Sequence, residues 1–442
     1  MDSQIRNQLF FEGKIDIPGL FPKLDELNES SVIFNFDFGL KILPEEPGIL
    51  AIRGARQFGK STWLETMLKQ TIERFGPQSA FYLNGDDIKR ESNLYEEILR
   101  ILSLFKKESR IKRIFIDEIT AVDFWEKSLK RLYDQGEIRD VLIITTGSQV
   151  IDLRKATERL PGRKGKLNRT SYRFLPVCFD EFCKKLSNKV KRDLILPLYC
   201  FSGGSPLAIN AILAHGYLPD YVTDLTKDWV YGELTQQGKS PSSLKFVIDA
   251  LFRHATLPTG LRVIAEKAGL SNNTLAQSYC DFLKDLGCLS TVYPIDGNKW
   301  RPIPKKAAKY HFINLLFATS FHPKKPRTMD EILTVFTGEK GCFFEWLVAQ
   351  ELWRRSSIAN EDFPEDQYYW RSNEHEIDFV ENLLSEEPKL IEVKSGQNFP
   401  SDFDWVRKTF PHKTLYIVGS KAFQTQNLEA VKIETFLKRE AF

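Results

Sequence analysis

The sequence predicts an α/β fold: a parallel sheet covered by helices on both faces, a helical middle, and a second α/β unit at the end. Three observations predict it. Residues Gly54–Ser61 read GARQFGKS and fit the phosphate-loop pattern G-x-x-x-x-G-K-[ST]. From 48 to 177, short apolar runs alternate with amphipathic helical patterns, as in a sheet buried on both faces. From 338 to 442, helix and strand patterns mix again.

In chain order, residues 1–47 hold prolines at 18, 22, 44 and 47 and read as an N-terminal arm. The core at 48–177 offers strands at 48–53, 79–83, 111–116, 141–146 and 172–176, with helices between them, notably at 94–105 and 124–135. The run Ile49-Leu50-Ala51-Ile52 leads into the phosphate loop and a helical segment from Thr62 to Gln70 leads out. Strand, loop, helix is the setting this motif needs. Gly54, Ala55, Arg56, Gln57, Phe58 and Gly59 supply backbone N–H groups to wrap phosphate oxygens, and the following helix N-terminus, with Thr62 in its first turn, favours the anion. Lys60 would reach the β- and γ-phosphates and Ser61 would ligate Mg²⁺. The ligand expected is ATP with Mg²⁺.

Arg113-Ile114-Phe115-Ile116-Asp117-Glu118 is an apolar strand ending in two acids, with Asp117 57 positions after Lys60. Asp117 at the strand tip suits Mg²⁺, directly or through water. Glu118 is placed to polarise the attacking water as general base. The pair argues for hydrolysis as well as binding, although strands also end in plain surface acids. A third buried strand, 141–146, runs into Thr146-Gly147-Ser148, whose hydroxyls suit the attacking water or the γ-phosphate.

GARQFGKS, FIDEI, TTGSQ, ERLPGRKG followed by FLPVCFDEF, and GGSP together resemble the AAA+ ATPases. Closer still is the resemblance to a prokaryotic group, the archaeal-type ATPases and proteins carrying the domain of unknown function 4143. With the tail it covers most of the chain. The resemblance implies a P-loop sheet in the order 5-1-4-3-2, a helical lid, and rings or chains of subunits. It implies that Thr146 and Ser148 lie in the sensor-1 region. It implies that Arg163 is a finger on a neighbour's ATP, with Arg159 as second candidate, and that GGSP at 203–206 opens the lid. Ala55 stands where proline is frequent and Ser61 where threonine is, and either hydroxyl serves Mg²⁺. The loop at 154–173 carries eight basic side chains and one acid, Glu158. Its charge suits a phosphate of a neighbouring subunit, a nucleic-acid backbone, or water.

A helical lid is expected at 178–238 and a winged helix at 239–297. In the latter, Leu261 to Leu275 has a helix-turn-helix cadence, with Gly269 ending one helix and Ser271 or Asn272 capping the next. The second helix would expose Asn272, Asn273, Gln277 and Ser278 but no basic residue before Lys284, which makes a poor guanine and phosphate reader. A basic junction at 298–337 offers Lys299, Arg301, Lys305, Lys306 and Lys309 instead.

The last unit, 338–442, contains Tyr368 to Arg371, His375 to Val380 and Lys389 to Lys394 as strands. Period two puts Glu392 and Lys394 on one face of an otherwise apolar strand. Asp378 lies fourteen positions before Glu392. Asp followed by Glu-x-Lys resembles the PD-(D/E)xK nucleases, whose fold is restriction-endonuclease-like, and Glu345 on an upstream amphipathic helix resembles the acid of their first helix. The resemblance implies that Glu345, Asp378 and Glu392 hold Mg²⁺ or Mn²⁺ and that Lys394 positions water and steadies the oxyanion. A structural ion-pair network and a silent site are the alternatives.

Composition narrows the rest. A net charge of +3 points to no partner by itself. The six cysteines show no C-x-x-C spacing, so neither zinc nor a disulfide framework is expected. The first residues are broken by charges and a proline, unlike a signal peptide. No apolar run approaches ~20 residues. The expectation is a soluble cytoplasmic homo-oligomer with DNA as partner and no membrane contact.

Overall fold

Five apolar strands build the first sheet: β1 Gly48–Arg53, β2 Ala80–Asn84, β3 Arg113–Asp117, β4 Leu142–Gly147 and β5 Ser171–Arg173. The computed structural model, which describes residues 1–148, 165–359, 366–383, 385 and 387–440, pairs them all in parallel. Their order is β2-β3-β4-β1-β5, which is the implied 5-1-4-3-2 seen from the other edge. Every residue of β1, β3 and β4 is buried, as a sheet covered on both faces requires. The sheet belongs to one of two compact units, Met1–Ile33, Asp37–Leu175 and Ser357–Phe363.

The register aligns the strand ends that matter. Asn84 stands opposite Asp117, Ile116 opposite Thr145, and Arg53 opposite Gly147. The loop after β1 therefore meets the tips of β3 and β4 at one edge, where open parallel sheets bind ligands. Helix α3, counted after α1 Ser3–Glu12 and α2 Pro22–Leu27, spans Lys60–Phe75. It buries Leu64, Leu68 and Ile72 at a spacing of four and stops at Gly76, whose φ is 87°.

The expected arm at 1–47 is structured. Asn7 on α1 donates Nδ2 to the Tyr82 carbonyl and accepts the Tyr82 N–H at Oδ1, both at 2.8 Å. One side chain thus satisfies the open edge of β2, which would otherwise present unpaired backbone. Arg6 pairs with Glu65 of α3 at 3.0 Å with both side chains buried. Glu65 also accepts the N–H of Lys23, in the first turn of α2, at 2.9 Å.

The other unit comprises Phe34–Phe36, Pro176–Ser356 and Pro364–Phe442. It opens with helices Phe179–Leu186, Arg192–Ser202, Pro206–His215 and Asp220–Gln236. Helices Leu261–Lys267 and Asn273–Asp285 follow as read from the sequence, with Gly269 left-handed at φ 64° between them. Asn272 caps the second, accepting the Leu275 N–H at 2.8 Å.

A mixed sheet completes this unit. Its strands are β6 Leu289–Asp296, β7 Arg301–Pro302, β8 Lys309–Phe312, β9 Gln367–Arg371, β10 Glu376–Glu381, β11 Lys389–Lys394, β12 Leu415–Gly419, β13 Phe423–Gln424 and β14 Leu428–Lys432. The order is β13-β14-β12-β11-β10-β9-β6-β7, with β8 also on β6. Strand β6, which falls at the end of the winged helix expected at 239–297, pairs in parallel with β9. One sheet thus runs across the boundaries expected at 297 and 338. Ile377, Val380, Leu390, Leu415 and Ile417 fill its core together with Trp370 and Phe403. The six cysteines are free thiols. Among the described residues no helix is long and apolar enough to cross a membrane.

Candidate functional site

Strand β1 ends in the loop Gly54–Ser61, in which the Phe58 side chain is buried. Gln57 at φ 64° and Gly59 at φ 100° take left-handed backbone, which turns successive N–H groups toward one concave face. Helix α3 starts at Lys60 with no side chain capping it. Its first N–H groups are therefore available to an anion. Lys60 is 5% exposed, and its ammonium donates to the carbonyls of Gly54 at 2.9 Å and Ala55 at 2.8 Å. The lysine thus bridges its own loop.

Asp117 lies buried at the tip of β3. Burial pushes its carboxyl above the usual range, opposed by hydrogen bonds from the hydroxyls of Thr146 and Ser61 and by the charge of Lys60. A buried acid beside a serine hydroxyl at the mouth of a phosphate loop fits a divalent cation, so Ser61 and Asp117 are the residues that would hold Mg²⁺. Thr146, read as a water or γ-phosphate contact, spends its hydroxyl on Asp117.

Glu118 follows in the left-handed region, φ 46°. Its N–H donates to Asp117 Oδ1 and Thr146 Oγ1, each at 3.2 Å, and its Oε2 accepts the Ser148 N–H at 2.9 Å. Arg56 reaches across from the phosphate loop and donates Nε to Ser148 Oγ at 3.2 Å. The general-base candidate is thus tied through Ser148 to the loop that would carry the phosphates.

Sequence reasoning missed Asp86, just past the tip of β2. Burial and the charge of Glu118 push its carboxyl up, and Arg56 pulls it down. Gly85 makes the approach feasible, since a Cβ there would lie 2.2 Å from the Glu118 carbonyl oxygen. The available signal was the Asn-Gly-Asp-Asp run directly after a strand expected beside β3.

Arg163 and Arg159 lie outside the described residues, as does most of the basic loop. Of its described part, Arg169 donates to the Ser171 carbonyl at 3.0 Å and stacks on Tyr172, and Arg173 is buried.

The tail acids do come together, around a residue that the sequence reading placed in the basic junction. Lys309 on β8 is 1% exposed. Its ammonium lies 2.7 Å from Asp378 Oδ1 and 3.7 Å from Glu345 Oε2, and it also pairs with Glu376 Oε1. Burial disfavours its charge, but Asp378, Glu345 and Glu376 outweigh burial and raise its pKa. Asp378 Oδ2 accepts the Val393 N–H at 2.9 Å. Glu392 pairs with Lys394 at 2.5 Å, while burial and the charge of Asp378 push its carboxyl up to about 8. Burial and Asp378 likewise raise Glu345. Among the described residues no three His, Cys, Asp or Glu side chains are disposed to hold a metal. The metal-ligand role expected of Glu345, Asp378 and Glu392 does not fit, because an ammonium already fills the space between the acids.

On the expected DNA-reading helix Asn273 is exposed, and the other polar side chains expected there make contacts within the protein. Asn272 is a cap, Gln277 donates to Asp281 at 2.7 Å, Ser278 accepts from Lys239 at 2.8 Å, and Lys284 pairs with Asp366 at 2.5 Å. The junction cations Lys299, Arg301, Lys305 and Lys306 are exposed.

Comparison with known proteins agrees with this layout. Residues 46–183 match the AAA domain family AAA_14, and residues 340–436 match a domain of unknown function, DUF4143. Residues 46–183, which hold the five-stranded parallel sheet and the phosphate loop, are similar to an AAA domain. An uncharacterized protein of Methanocaldococcus jannaschii is 24% identical over 386 residues, which is 83% of this chain and 79% of the relative. Among solved structures, a Walker-type ATPase of Pyrococcus abyssi covers 70% of this chain and 96% of its own, at 13% identity and a TM-score of 0.41. The ORC2 protein of Aeropyrum pernix covers 76% and 94%, at 11% identity and a TM-score of 0.38.

Proposed function

We propose that this protein hydrolyses ATP with Mg²⁺, works as a homo-oligomer, and meets the backbone of a nucleic acid through the β6–β7 hairpin. The observation that carries the ATPase reading is the linked set Ser61–Asp117–Thr146–Glu118–Ser148–Arg56 at one edge of a parallel sheet. When bound at Ser61 and Asp117, Mg²⁺ would supply the positive charge that neutralises the β- and γ-phosphates. The N–H groups at the start of α3 bind the phosphates, and Lys60 leaves the Gly54 and Ala55 carbonyls to join them. Glu118, with Oε2 held by Ser148, accepts the proton of the attacking water at Oε1. Arg163 is the proposed finger on a neighbour's phosphate. The test is phosphate release by the purified full chain, abolished by EDTA and by Asp117→Ala; release unaffected by both would refute the assignment.

The nucleic-acid part of the reading rests on the hairpin. Asp296 Oδ1 accepts the N–H groups of Asn298 at 2.9 Å and Lys299 at 3.1 Å and fixes its turn. Lys299, Arg301, Lys305 and Lys306 stand exposed on and just after it. Such a cluster favours phosphate contact without base reading. The face of helix Asn273–Asp285, which offers Asn273 and Gln277 but no basic side chain before Lys284, agrees with binding that is insensitive to sequence. Lys309, seated among Asp378, Glu376 and Glu345, argues against metal-dependent strand cleavage by the tail.

A further inference from the structure

We propose that the side chain of Arg56 is a γ-phosphate contact that the phosphate loop supplies from within the same chain, aimed by Ser148 and Asp86. The inference rests on the ATPase reading and adds to it a residue that tells a triphosphate from a diphosphate. By motif alone Arg56 offers only its backbone N–H, because that position of the pattern is open to any residue.

The strand tips place the guanidinium. Arg53 at the end of β1 stands opposite Gly147 at the end of β4, so the loop after β1 runs beside Ser148. Arg56 Nε donates to Ser148 Oγ at 3.2 Å. Asp86, just past the tip of β2, attracts the same guanidinium. Asn84 Oδ1 accepts the Asp86 N–H at 3.2 Å and fixes the turn that carries this acid. In the order β2-β3-β4-β1, a side chain that starts after β1, bonds past β4 and feels a charge past β2 leans toward the tip of β3. Asp117 and Glu118 stand there.

A guanidinium has five N–H donors. With Nε spent on Ser148, its two terminal nitrogens make no hydrogen bond among the described residues, and Arg56 is exposed. Such an edge is a fork for two oxygens of one phosphate. Its neighbours decide which phosphate. The Ser148 N–H holds Glu118 Oε2 at 2.9 Å, and Glu118 is the base for the water that attacks the γ-phosphorus. A guanidinium bonded to Ser148 therefore lies on the γ side of the site. Lys60 and Arg56 are the two cations of the loop, set against Asp86, Asp117 and Glu118 at the same edge. A cation on the γ-phosphate offsets the charge spread over its oxygens during transfer. An arginine from a neighbour would then be the second guanidinium at this phosphate.

The experiment is calorimetric titration of the full chain, in Mg²⁺, with ADP and with the non-hydrolysable β,γ-imido analogue of ATP. Arg56→Gln should bind the analogue at least ~10-fold more weakly than wild type and ADP within ~2-fold of it, the loss of a charged fork made only to the γ-phosphate. Arg56→Lys, which keeps the charge without the fork, takes its place should Arg56→Gln not fold, with the same selective loss expected. Unchanged affinity for the analogue, or an equal loss for both nucleotides, would overturn the inference and leave the ATPase reading standing. Wild type that binds neither nucleotide would overturn that reading and this inference with it.

Discussion

Two buried aspartates set the two halves of this protein apart. Asp117 sits at the tip of β3 bonded to hydroxyls, those of Thr146 and Ser61, with the Lys60 charge acting without a hydrogen bond. Asp378 sits on β10 against an ammonium, that of Lys309. A hydroxyl solvates a carboxylate without neutralising it, so Asp117 keeps a reason to take a cation. An ammonium neutralises it in place. The comparison teaches that a carboxylate's partner, more than the carboxylate, decides whether a buried strand acid is left open to a cation.

The comparison can be broken first at the phosphate loop. Lys60→Ala should abolish ATP binding, a loss of at least ~100-fold if the ammonium acts as a charged hydrogen-bond donor worth several kcal/mol to the triphosphate; calorimetric titration checks it. On the other side, Asp378→Asn should destabilise the fold by about 1.5–3 kcal/mol, the loss of a charged hydrogen bond to Lys309, which keeps Glu376 and Glu345 as partners. Denaturant unfolding followed by the tail tryptophans measures it, and a change below ~1 kcal/mol would show that the pair is not holding the sheet.

Smaller effects sharpen the contrast. Lys305→Ala/Lys306→Ala should reduce the salt dependence of DNA affinity by about one in slope per lost phosphate contact while leaving ATP turnover intact, as fluorescence anisotropy over a salt series would show. Smallest is an acid-range effect at Glu339. Its hydrogen bond with His322, aided by Lys324 and opposed by burial, holds its carboxyl down at about 2 against an ordinary 4.5. A depressed folded pKa contributes stability above about 4.5 that is lost as pH falls toward about 2. Glu339→Gln should therefore flatten the stability profile in that window. An unchanged profile would place the acid sensitivity elsewhere.

Much of the fold was legible in the sequence because it is local. The apolar run 48–53 became β1 residue for residue, and Gly269 and Asn272 ended and capped helices where turn chemistry placed them. What was illegible is non-local. Pairing of β6 with β9 joins Val292 to Gln367, and no periodicity announces a partner so far along the chain. Lys309 read as one more junction cation because its burial is a tertiary fact. A trace existed in the alternation Lys309-Tyr310-His311-Phe312, which places a lysine and a histidine on one face of a strand. Around the phosphate loop, Lys60, Ser61, Asp117 and Glu118 were brought to one edge, while Thr146 turned to Asp117 instead of to the nucleotide position.

The most direct test of the central claim is ATP turnover by Glu118→Gln beside wild type, with binding measured in the same preparations. The account predicts that the variant binds ATP as tightly as wild type and hydrolyses it ~100-fold or more slowly, the loss of a positioned general base. Wild-type turnover in Glu118→Gln would contradict it.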